Sequence, residues 1–106
     1  MTAQIQSPHQ KVFHEAVKNG DTTELARVLE TARQDVNVNM FDCEGQTALH
    51  QSVIDGNFEL VKLLVQFGAD VKLANRDGWN ALHIAAYGGH EDIALYLITN
   101  VNSCKR

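Results

Sequence analysis

Two histidines, His50 and His83, stand thirty-three residues apart in this chain of 106 residues, each closing an Ala-Leu-His triplet. A pair of imidazoles could begin a zinc site, but zinc needs further nitrogen, sulfur or carboxylate ligands at suitable spacing. The two cysteines, Cys43 and Cys104, do not supply them: one falls in an expected loop, the other near the C-terminus, and no Cys-x-x-Cys spacing joins them. They read most simply as free thiols. His90-Glu91-Asp92 is the other candidate, an acid–base cluster on its face. It lies thirty-three residues after Asn57-Phe58-Glu59, at the expected start of a helix, where carboxylates suit the positive end of the helix dipole. No Ser or Cys nucleophile, carboxylate pair or glycine-rich phosphate loop stands in a pocket-forming context. No catalysis, metal or cofactor is therefore expected, and His50 and His83 are expected to brace successive structural units by hydrogen bonds.

The elements that position these residues are written twice. Glu44-Gly45-Gln46-Thr47-Ala48-Leu49-His50 is followed at an offset of thirty-three by Asp77-Gly78-Trp79-Asn80-Ala81-Leu82-His83. The same offset pairs Val53 with Ala86, Gly56 with Gly89, Leu60 with Ile93 and Leu64 with Leu97. Thr47 is a good N-cap for a helix from Ala48 to about Asp55, Gly56 a good terminator, and Asn57 a good cap for the helix that follows. That second helix carries Phe58, Leu60, Val61, Leu63, Leu64, Val65 and Phe67. So wide an apolar arc suits a helix with neighbours on both sides.

A degenerate copy precedes these two. Phe13 to Gly20 aligns with Leu49 to Gly56 at an offset of thirty-six, and Asn37-Val38-Asn39 with Asp70-Val71-Lys72 at thirty-three, so about three extra residues fall within 30–36. Glu24 and Arg27 replace the apolar Leu60 and Leu63 of the next copy, as expected of a terminal repeat whose outer face meets water. The reading is an all-α solenoid of three helix-turn-helix repeats, about 11–41, 42–74 and 75–101, joined by β-hairpin-like fingers. Residues 1–10 and 102–106 are read as tails, and the protein is expected to be intracellular, since no secretory signal pattern or long apolar run is present. A period of this length with a turn and two helices resembles the ankyrin repeat family.

The net charge of −4 argues against autonomous binding to nucleic acid, which needs a basic face. Protein binding is the expectation instead. Trp79 occupies the turn position of Gln46, usually polar and outward, and exposed Trp is enriched at interfaces. Ala85, Ala86 and Tyr87 follow on the helix expected after that turn. If the third repeat ends the array, the face that would meet a fourth is open, and Leu95 and Tyr96 join it as an apolar patch of a kind monomers rarely leave unused.

Within the ankyrin family, 44–98 is similar to a branch of small regulators of Notch signalling, in EGQTALHQSVIDGN, ELVKLLV, FGAD, LANRDGW, ALHIAA and DIALYLIT. QSVIDGN and LANRDGW contain residues that no general repeat constraint dictates. The resemblance implies a feedback regulator of nucleus and cytoplasm that joins the Notch intracellular domain through its ankyrin region and the transcription factor CSL, reaching DNA only through CSL. It implies lowered Notch-dependent transcription, with a positive effect on Wnt signalling, and neither a membrane nor a small-molecule substrate. It carries a partner-binding role onto Trp79, Ala86, Tyr87 and Leu95. The alternative is a stand-alone ankyrin inhibitor that grips an enzyme such as a kinase by its concave or finger surface.

Overall fold

The computed structural model describes residues 8–42 and 44–103. Cys43, Cys104 and the expected tail residues 1–7 lie outside the described part. Six α-helices follow one another: α1 (Pro8–Asn19), α2 (Thr22–Thr31), α3 (Ala48–Ile54), α4 (Phe58–Gln66), α5 (Ala81–Tyr87) and α6 (Glu91–Ser103). They pair as α1 with α2, α3 with α4 and α5 with α6. The inner helices α1, α3 and α5 pack in sequence, as do the outer helices α2, α4 and α6. The result is the three-repeat helical solenoid expected from the period.

Side chains set the helix boundaries. Asp21 Oδ1 accepts the Glu24 N–H at 3.1 Å and Asn57 Oδ1 that of Leu60 at 3.3 Å, satisfying donors that the first turn leaves without a helical partner. The three extra residues of the first repeat form a short 3-10 turn, Arg33–Asp35, after α2. It is a compact way to absorb an insertion without disturbing the helices on either side. α1 begins at Pro8, ahead of the repeat start expected at Lys11. Proline is tolerated in a first helical turn because its missing N–H would be unpaired there anyway. Gln10 thus joins α1, is buried, and clamps the following finger: its Nε2 donates to the Asn37 carbonyl at 3.2 Å and its Oε1 accepts the Asn37 N–H at 2.7 Å.

Among the described residues the fingers contain no strand. Two of them are tight turns closed by a pair of main-chain bonds: Asp42 N–H to Gln46 O at 2.8 Å with Gly45 N–H to Asp42 O at 3.0 Å, and Asn75 N–H to Trp79 O at 2.8 Å with Gly78 N–H to Asn75 O at 2.9 Å. Within them Asp42 Oδ1 accepts from Glu44 and Gln46, and Asn75 Oδ1 from Asp77 and Trp79. The two fingers touch at main-chain range: the Arg76 N–H donates to the Gly45 carbonyl at 3.0 Å. Gly45 has φ +77°, and a β-carbon there would stand 2.5 Å from that of Arg76. The position needs glycine twice over, for its backbone conformation and for the approach of the next finger.

Phe13, Leu25, Leu29, Leu60, Leu64, Ile93 and Leu97 are fully buried and belong to one apolar core that spans all three repeats. At the N-terminal end Glu24 and Arg27, the polar replacements seen in the sequence, form an ion pair on α2, with Arg27 Nε donating to Glu24 Oε1 at 3.1 Å.

Candidate interaction surface

The braces between repeats are built by histidine capping boxes. Thr47 caps α3 by accepting the His50 N–H at 3.3 Å, while His50 Nδ1 accepts the Thr47 main-chain N–H at 3.1 Å and lies 2.8 Å from the Thr47 hydroxyl. With Nδ1 an acceptor, the neutral ring carries its proton on Nε2, which donates to the Leu73 carbonyl in the next finger at 3.0 Å. α5 repeats the box with Asn80: its Oδ1 accepts the His83 N–H at 2.9 Å, and His83 Nδ1 accepts the Asn80 N–H at 3.2 Å. His50 therefore braces two repeats, as its recurrence at the repeat period implies, whereas His83 caps its own helix and makes no bond to another repeat among the described residues.

Burial pushes the His50 pKa below its ordinary value, against the opposing pull of the Leu73 and Trp79 carbonyls and the Asp42 charge. A histidine whose pKa is lowered by folding contributes fully above its unfolded pKa of about 6.5; as pH falls through that value the unfolded chain takes up the proton first, and stability declines until the folded ring also titrates. Burial lowers His14 likewise, opposed by Asp42. The urea midpoint is thus expected to fall between pH 7.5 and 5.5, and His50→Gln to reduce that fall. An identical pH dependence in the variant would show that His50 does not carry it.

Residues in the same register of the second and third repeats differ in burial, and the difference maps a surface. Val53 is completely buried, while Ala86 in its place is exposed. His50 is buried and His83 exposed; Val61 is buried and Ala94 only half-buried. The second repeat has the third stacked upon it, and the far side of the third carries no repeat among the described residues. Ala86, His83 and Ala94 therefore mark the side on which another repeat would sit.

Trp79 stands where Gln46 reaches forward, its Oε1 accepting from Asn75 Nδ2 of the next finger at 3.1 Å. Its ring packs edge-on against Tyr87 with centroids 5.2 Å apart and lies 6.2 Å from His83. Trp79 retains 38% of its surface and Tyr87 83%, so the edge of the open end is aromatic and wet.

Of the four residues nominated from sequence, Trp79 and Tyr87 are brought into contact and Ala86 lies beside them on the vacant stacking side. Tyr87 shares its register with Ile54, which is 47% exposed although repeats flank it on both sides; its exposure faces sideways as well as outward. Leu95 is apart from these three, on α6, in the register of Lys62, a position that keeps contact with water within the stack. Its exposure follows from that register rather than from a missing neighbour. His83 and Ile98, both exposed at this end, were not nominated. The repeat offset contained the signal for each, through buried His50 and half-buried Val65.

Elsewhere, a hollow of about 330 Å³ between α1, α3 and the first finger is lined by His14, Val17, Lys18, Asp42, Ala48 and Gln51, among others. Among the described residues no three His, Cys, Asp or Glu side chains converge as metal ligands, and no helix is long and apolar enough to cross a membrane.

Comparison with known proteins agrees with this architecture. The family model for ankyrin repeats (3 copies) matches residues 13–105. The chain is 71% identical over 94 residues to a Notch-regulated ankyrin repeat-containing protein of Xenopus laevis, spanning 87% of this chain and 82% of that one. It is 68% identical over 91 residues to the human protein of the same name, spanning 85% and 80%. At 38% identity over 95 residues it is also similar to human protein phosphatase 1 regulatory subunit 27, covering 90% of this chain and 60% of the relative.

Proposed function

Because this chain belongs to the ankyrin repeat family and, within it, to the Notch-regulated ankyrin repeat-containing proteins, we propose that it is a non-enzymatic adaptor that docks end-on to a Notch ankyrin region. Through that contact it joins the complex of the Notch intracellular domain with CSL on DNA and lowers Notch-dependent transcription in the nucleus. The observation that carries the reading is the burial contrast between Val53 and Ala86: a surface shaped to receive a repeat is open to solvent. At roughly 25 cal/mol per Å², covering ~400 Å² of apolar surface contributes on the order of 10 kcal/mol before association costs. A second contact, with CSL, adds to this through effective concentration, so neither need be tight alone. The acidic net charge leaves DNA to CSL.

A second reading, an inhibitor that grips an enzyme by its concave face, is favoured by the hollow between α1, α3 and the first finger and by similarity to a protein named as a phosphatase regulatory subunit. A Notch-driven reporter separates the two. The native chain is expected to lower its output, Asp77→Lys in the finger to do so equally, and Tyr87→Glu at the open end to lose most of the effect. Repression retained by Tyr87→Glu and lost by Asp77→Lys would move the binding site to the fingers; no repression by the native chain would remove the Notch reading.

A further inference from the structure

We propose that the open end captures its partner by main-chain hydrogen bonds as well as by apolar contact, with the His83 Nε2–H as donor and the Gly78 carbonyl as acceptor. The inference rests on end-on docking to an ankyrin stack and specifies what that stack must present: the leading finger of a repeat.

The template is the junction between the second and third repeats of the chain itself. There the His50 Nε2–H donates to the Leu73 carbonyl at 3.0 Å, and the Gly45 carbonyl accepts the Arg76 N–H at 3.0 Å. The two finger groups so gripped belong to residues three positions apart. Two glycines make room for the incoming repeat. A β-carbon on Gly45 would stand 2.5 Å from that of Arg76, and one on Gly56 would stand 3.0 Å from the His90 ring.

A shift of thirty-three residues transfers each of these features to the open end. Gly45 becomes Gly78 and Gly56 becomes Gly89, and a β-carbon on either would meet nothing within 4 Å. His50 becomes His83, now exposed. The His83 ring is already set for donation: its Nδ1 accepts the Asn80 N–H at 3.2 Å, so in the neutral ring the proton is on Nε2, the nitrogen that in His50 reaches the next finger. No hydrogen bond to the Gly78 carbonyl occurs among the described residues. No described residue fills the place: α6 runs on to Ser103 where α4, in the same register, stops at Gln66 and turns into the next finger.

The occupant that fits is a tight turn with a free carbonyl and a free N–H three residues apart. An ankyrin finger has these. A helix flank does not, because its main-chain groups are bonded internally. The glycines add a steric condition, that the occupant's backbone comes as close to Gly78 as Arg76 comes to Gly45. Trp79, in place of the forward-reaching Gln46, then lies over the incoming finger. Capture by these groups fixes the register of the partner, which an aromatic patch by itself would not.

The experiment replaces His83 by 4-thiazolylalanine, whose ring nitrogen keeps the Nδ1 acceptor and whose sulfur stands where Nε2–H stood. Binding to a preformed complex of the Notch ankyrin region, CSL and DNA is measured by calorimetry, with thermal unfolding of the free chain alongside. The native chain is expected to bind, the replacement to weaken Kd about five- to tenfold, the worth of one hydrogen bond, and the unfolding midpoint to stay unchanged. Ala86→Trp is measured in parallel. Native Kd for the thiazole variant with loss of binding by Ala86→Trp would overturn the hydrogen-bond inference while leaving end-on docking intact. Native binding by Ala86→Trp, or no binding by the native chain, would overturn both.

Discussion

Ala86→Trp is expected to leave the isolated protein folded and to weaken its entry into the Notch–CSL–DNA complex by about 100-fold or more, the scale of a central interface position. Ala86 is exposed, so an indole there meets solvent in the free chain and disturbs little of the fold. In the complex it occupies the register of Val53, which the stacked third repeat buries completely. A close-packed face cannot take in an indole where it has room for a methyl, and overpacking of this kind costs about 1–3 kcal/mol or more. Trp79→Glu acts on the same face by a different route, removing the ring that packs on Tyr87 and adding a charge that docking must desolvate. Calorimetry gives the Kd, and circular dichroism during heating gives the fold. A variant that binds as the native chain does would place the stacking surface elsewhere.

Leu64→Ala is expected to have the largest effect on stability. Leu64 is wholly buried on α4, the outer helix of the middle repeat, and its carbonyl accepts the Ala69 N–H at 3.0 Å where the chain turns into the second finger. Truncating such a leucine costs about 2–5 kcal/mol, against about 5–15 kcal/mol for a whole domain. The middle repeat also has a special place in a one-dimensional array. Once it opens, the first and third repeats lose the neighbours that stabilise them, so the loss spreads along the chain. Leu95→Ala is the control: Leu95 is 64% exposed, and a change there is expected to stay within about 0.5 kcal/mol. Urea melts followed by circular dichroism compare the two. Equal midpoints would contradict the placement of Leu64 in the shared core.

Much of this architecture is legible in the residues because the repeat states it more than once. The caps Thr47, Asn57 and Asn80 are placed by their chemistry, and α3, expected to reach about Asp55, ends at Ile54. The start of α1 is less legible. Proline argues against a helix in general but not in its first turn, and Gln10 shows no apolar signal although it is buried through two hydrogen bonds to Asn37. The interaction surface is legible only in part. Val53 and Ala86 look alike in a pattern of apolar positions, and only their burial shows which side of the helix the next repeat covers. Leu95 attracts attention because it is apolar in a polar register, yet that register faces water even in the middle of the stack. His83 reads as a brace because it recurs at the period of His50; that no described finger lies against it is visible only in three dimensions.

The account turns on recognition of two components at once, and sedimentation of this chain with the Notch ankyrin region, CSL and a duplex carrying a CSL site, added singly and then together, tests it most directly. The chain is expected to travel with the complex only when the Notch ankyrin region and CSL on DNA are both present. A native chain that sediments alone in the complete mixture, or that binds CSL on DNA just as well without the Notch ankyrin region, would contradict end-on docking.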